Sequence, residues 1–152
     1  MLLNKEQVID FLPQRDPFLF IDSVELIEGE GSKELRDIKG KRVICHFQAP
    51  SDHIIFQGHF PGNPILPGVI QIEMMGQASC FGVYYLFGGK RLDVRLMGVD
   101  KAKFRQPILP GMKMKVECTC LKVRSSFLSF ECEITSDHQL ISQAVILAAV
   151  NP

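Results

Sequence analysis

The chain has 152 residues, enough for one domain spanning 1–152 that buries a core without disulfide or metal staples. Its 17 basic and 17 acidic side chains cancel, which removes any bulk attraction to nucleic acid or to an anionic membrane. Five cysteines with no C-x-x-C pair argue against a disulfide framework or a zinc site, and for reduced, packed thiols in the cytoplasm.

In chain order, Met1-Leu2-Leu3-Asn4-Lys5-Glu6 meets charge before an apolar run can build, so a secretory signal is not expected. Asn4 is placed to cap a short helix through Phe11 that Pro13 ends. Phe18 to Ile27, rich in aromatic and β-branched residues, predicts a strand, and Lys41 to Gln48 its returning partner. The polar, glycine-punctuated stretch from Gly29 to Gly40 connects them. Prolines and glycines recur from Ala49 to Pro67, which predicts a long ordered loop, and such loops in compact domains are usually functional.

Pro67-Gly68 opens a strongly apolar segment that runs to Gly88-Gly89, the expected start and stop of one long helix. Its length approaches that of a membrane span, but Gln71, Glu73 and Gln77 lie in its first half and no basic cluster flanks it, so membrane insertion is not expected. Four strand-like runs follow: Val94 to Phe104, Met114 to Val123, Phe127 to Thr135 and Leu140 to Val150. A helix apolar on every side has to be surrounded. The expected architecture is therefore α+β, a curved antiparallel sheet wrapped around one central apolar helix, the hotdog fold. The alternative is an open sheet with the helix on one face, whose outer half would then need a partner subunit.

Chemistry concentrates in Gly58-His59-Phe60-Pro61-Gly62-Asn63-Pro64-Ile65-Leu66-Pro67-Gly68-Val69. Three prolines and three glycines in positions 58 to 68 stiffen the backbone around His59. An imidazole titrates near the pH at which a general base works, although a lone loop histidine is more often a surface or hydrogen-bonding residue. Glu73 is the sole carboxylate between Pro61 and Asp93 and lies inside the apolar helix. A carboxyl there needs a partner or stays protonated; a solvent gap or a bond to Gln77 one turn on would also explain it. Gly68 would present unpaired helix-terminal N–H groups to a carbonyl oxygen, or simply start the helix.

This block, with the following Glu73-Met74-Met75-Gly76-Gln77, resembles the signature of the FabZ-type 3-hydroxyacyl-acyl-carrier-protein dehydratases. Leu12-Pro13-Gln14-Arg15-Asp16-Pro17-Phe18-Leu19 is similar to that family's N-terminal motif, and Gly98 to Pro107 with Pro110-Gly111 to its later strand and turn. The resemblance implies a hotdog fold, a homodimer, commonly a trimer of dimers, and a site shared between protomers. It implies His59 as base and Glu73 of the other subunit as acid, with Gly68, Phe60, Val69 and Gln77 around the substrate, and neither metal nor organic cofactor. Glutamate at 73, where dehydratase-isomerases carry aspartate, implies dehydration without isomerisation. The partner implied is acyl carrier protein, which is acidic; Lys101, Lys103 and Arg105, alternating along one strand face, and Lys90 and Arg91 are the basic residues expected near it, if they are not simply a solvated surface.

The chain departs from the family pattern at Gln14 and Asp16, where histidine and an aromatic are usual, near Arg95, where an aromatic is usual, and at Met112. A hotdog thioesterase, with a helix-borne carboxylate activating water, and a non-catalytic acyl-carrier-binding subunit are the rival readings.

Overall fold

The first helix is secured by its own side chains. Asn4 Oδ1 accepts from the Gln7 N–H at 3.0 Å while Gln7 Oε1 accepts from the Asn4 N–H at 2.9 Å, a reciprocal cap that starts α1 (Lys5–Phe11). The computed structural model describes residues 1–91 and 93–151. Its strands are β1 (Ser23–Ile27), β2 (Arg42–Gln48), β3 (Asp93–Phe104), β4 (Lys113–Arg124), β5 (Phe127–Ser136) and β6 (Gln139–Asn151). They form one six-stranded antiparallel sheet in the order β1-β2-β4-β5-β6-β3. The one-turn helix α2 (Ile55–Gly58) lies within the long loop, and α3 (Gly68–Cys80) is the central helix.

Alternation on β5 sets the two faces of the sheet. Leu128, Phe130, Cys132 and Ile134 are buried toward α3, while Phe127 and Glu131 face outward. Cys118 and Cys120 both point inward and are buried, as the strand period requires; all five thiols are free. Helix α3 touches β2, β3, β4, β5 and β6. A helix about 10 Å across can reach five strands spaced about 4.8 Å apart only if the sheet curls around it. This is the hotdog arrangement.

Two local expectations needed correction. The first strand begins at Ser23 rather than Phe18. The Phe20 N–H and the Phe18 carbonyl are bonded by the buried Gln77 side chain at 2.8 and 3.0 Å, so this backbone is satisfied without a sheet neighbour. The central α-helix ends at Cys80, and the segment through Phe87 tightens into two 3-10 turns. At Gly82 a Cβ would lie 2.7 Å from the Phe130 ring, so glycine lets this stretch settle onto the sheet. The connection after β1 also carries a 3-10 turn, Leu35–Ile38, with Ile38 buried.

The enclosure of α3 stops at one stripe. Val69 is 76% exposed, and Ile72, Glu73, Gly76 and Cys80 are half-buried along the same side of the helix. The two sheet edges differ in the same sense. The N-terminal segment bridges onto β1 through Leu3 and Val24, whereas β3 carries exposed Leu96, Met97, Val99 and Phe104 and pairs only with β6 among the described residues.

Candidate active site

The loop leading into α3 is a chain of short backbone bonds. Phe60 and Asn63 exchange N–H···O bonds of 3.0 and 2.9 Å around Gly62, whose φ of +75° suits glycine. The Ile65 N–H donates to His59 O at 3.0 Å, and the Leu66 N–H reaches Ile108 O at 2.8 Å, tying the loop to the turn before β4. His59 is half-buried, its ring stacked on Phe60 with centroids 3.9 Å apart. His59 Nδ1 lies 2.9 Å from the Ile65 carbonyl oxygen. A carbonyl can only accept, so this bond requires the proton on Nδ1 and leaves Nε2 with a free lone pair.

His59 opens onto a cavity of about 400 Å³ lined by Ile65, Leu66, Gly68, Gln71, Phe104, Arg105, Gln106 and Pro107. His59 and the start of α3 therefore line one cavity. The side of Gly68 on which a Cβ would stand, expected to be open to a substrate, is taken by Phe104: a Cβ there would lie 3.0 Å from the ring. Phe60 and Val69 are exposed and do not line this cavity. Gln71, Phe104 and Gln106 belong to it and were not singled out from sequence. Gln71 could have been found by counting, since three residues from Gly68 on a helix brings the side chain back to the same face.

Glu73 is on a different face. Five residues at 100° each place it about 140° around the helix from Gly68. It sits in the half-exposed stripe and does not line the His59 cavity. Its Oε1 accepts from Gln77 Nε2 at 3.0 Å and from Gln14 Nε2 at 3.4 Å. Gln77, 1% exposed, is itself anchored through both of its polar atoms to Phe18 and Phe20. Burial and the negative charge of Glu73 together push the Cys80 thiol up to about 12. His59 shares a cavity with Gly68 and Glu73 bonds Gln77, but the two pairs face different spaces.

The expected basic row is also divided. The bulge between Asp100 and Lys103, with Lys101 at φ +52°, breaks the alternation along β3. Arg105 lines the His59 cavity, whereas Lys101 borders a separate trough of about 880 Å³ on the outer sheet face with Lys122, Arg124, Phe127 and Leu147. Arg95, where the family usually has an aromatic, is exposed and pairs with Asp93.

A family model described as ApeI-like, ApeI dehydratase, matches residues 35–144. The 3-hydroxyacyl-[acyl-carrier-protein] dehydratase FabZ of Enterococcus faecalis is 40% identical, across 83% of this chain and 82% of that protein. Its counterpart from Erwinia tasmaniensis is 36% identical across 97% and 92%. The chain belongs to the FabZ-type dehydratases. It is accordingly an enzyme that eliminates water. Among solved structures, a chain of the dehydratase heterocomplex ApeI:P from Xenorhabdus doucetiae superposes with a TM-score of 0.74, 19% identity and 95% and 91% coverage of the two chains. Smu.793 of Streptococcus mutans, bound to acetyl CoA, gives 0.63 at 13% identity over 92% and 95%. These two likenesses establish the hotdog fold. No described helix is long and apolar enough to cross a membrane.

Proposed function

We propose that this dehydratase removes water from 3-hydroxyacyl thioesters of acyl carrier protein in fatty-acid or related acyl-chain biosynthesis, at a site shared by two protomers in the cytoplasm. His59 Nε2 of one protomer takes the proton α to the thioester carbonyl, while the Gly68 N–H receives that carbonyl's developing negative charge. Glu73 of the partner subunit, protonated, donates to the 3-hydroxyl as its C–O bond breaks. The products are a trans-2-enoyl thioester and water, leaving His59 charged and Glu73 ionised; transfer of the proton from His59 to Glu73 restores both.

The carrying observation is the division of the site. His59 has a cavity, an oriented imidazole and no carboxylate, while Glu73 lies in the half-open stripe of α3. A second copy set against the stripe and the exposed apolar residues of β3 would cover both and bring each His59 to the other's Glu73. Arg105 at the His59 cavity is the cation best placed to meet the phosphate of a carrier's prosthetic arm.

Complementation tests this. His59→Ala and Glu73→Gln each lower kcat by about 10²–10⁴ with the fold retained, as measured by circular dichroism and loss of water from a 3-hydroxyacyl thioester. Refolded together, the two inactive variants regain roughly a quarter of wild-type activity, because half of the dimers are mixed and each mixed dimer holds one intact site. No recovery in dimers shown to be mixed rules out the shared site. Near-normal turnover by either single variant removes the assigned residues.

A further inference from the structure

We propose that Gln14 is a positioning residue that fixes which oxygen of Glu73 carries the catalytic proton; this rests on the reading of Glu73 as the acid. A carboxyl oxygen has two lone pairs. On Glu73 Oε1 one is met by Gln77 Nε2 at 3.0 Å and the other by Gln14 Nε2 at 3.4 Å. With both occupied, the proton of the neutral acid resides on Oε2, which makes no hydrogen bond among the described residues and is the oxygen left to face substrate. Gln77 alone would leave one lone pair of Oε1 open, and the proton could settle on either oxygen.

The loop that carries Gln14 is built to hold it in place. The Arg15 guanidinium donates to both the Leu12 and Gln14 carbonyls at 2.8 Å, the Phe18 N–H closes onto Arg15 O at 2.8 Å, and the Leu12 side chain is buried. The amide's other end argues against a purely packing role. Gln14 Oε1 is buried without a hydrogen-bond partner among the described residues, and Gln14 borders a small pocket with Phe11, Leu12, Cys80 and Val94, where an apolar side chain would avoid the desolvation penalty. Once Glu73 has given up its proton, a reversed amide would turn its oxygen toward Glu73 Oε1 and oppose acceptor to acceptor. The side chain satisfies the carboxyl at the expense of its own oxygen.

The test compares Gln14→Met, of similar length but with no donor, with Gln14→His, which restores an N–H. Gln14→Met lowers kcat about tenfold with KM within about twofold, a fraction of the loss from deleting the acid itself. Its solvent deuterium isotope effect on kcat rises, because proton donation now limits turnover, and Gln14→His regains most of the rate. Unchanged kcat and isotope effect in Gln14→Met, with Glu73→Gln inactive, overturns the role of Gln14 and leaves the acid assignment standing. Parallel losses of kcat, KM and thermal stability that Gln14→His does not repair assign Gln14 to the fold and also overturn it. Dehydration by Glu73→Gln at near wild-type rate removes the acid assignment itself.

Discussion

The His59 loop and the Glu73 stripe achieve order by different means. The loop uses its own backbone: prolines restrict it, paired N–H···O bonds close it, and the Ile65 carbonyl sets the imidazole tautomer. The stripe uses side chains drawn from distant parts of the chain, with Gln77 reaching back to Phe18 and Phe20 and Gln14 arriving from the loop after α1. His59 therefore sits in a locally determined frame. Glu73 sits in a frame that exists only once the chain has folded.

That contrast can be strained from the acid side first. Gln77→Leu leaves the Phe20 N–H and Phe18 carbonyl without their buried partner and should lower stability by about 1–3 kcal/mol by denaturant titration. It should also reduce kcat by roughly 10² or more, since Glu73 loses its shorter donor bond. A loss of stability with kcat intact would show that Gln77 serves the backbone alone.

From the base side the effect is smaller and falls on binding. Arg105→Glu should raise KM for a carrier-linked substrate about tenfold and for a short thioester analogue by less than about threefold, the difference shrinking at high salt. Lys101→Glu, on the outer trough beyond the bulge, should change neither KM by more than about twofold. Equal effects of the two reversals would return both residues to a single docking face.

The smallest effect reads the charge on the stripe directly. With its thiol up at about 12, Cys80 should alkylate slowly at pH 8 and faster as pH rises, because only the thiolate reacts. Glu73→Gln should speed the reaction a few-fold where Glu73 is ionised and leave it unchanged where Glu73 holds its proton. An unchanged rate at every pH would separate Cys80 from Glu73.

The base half of the site was legible in the sequence because its determinants are neighbours: Gly58 to Val69 contains the histidine, the stiffening prolines and the helix start. The acid was legible as a carboxylate in an apolar helix, and Gln77 as its neighbour one turn on. The second donor was not. Gln14 lies 59 residues before Glu73 and registers in sequence only as an irregular position in a motif. The early end of α3 was hidden for a similar reason, since Gly82 reads as one more helical residue until Phe130 is found against it.

By itself the sequence indicated most of the elements, the α+β class and the two candidate side chains His59 and Glu73, because period, turn chemistry and composition act over a few residues. Only the tertiary structure decided that His59 and Glu73 face different spaces, that the bulge at Asp100–Lys103 divides the basic row, and that one stripe of α3 and the β3 edge are left uncovered. Those outcomes depend on how far a helix turns between two residues and on which strand ends the sheet, and no local pattern encodes either.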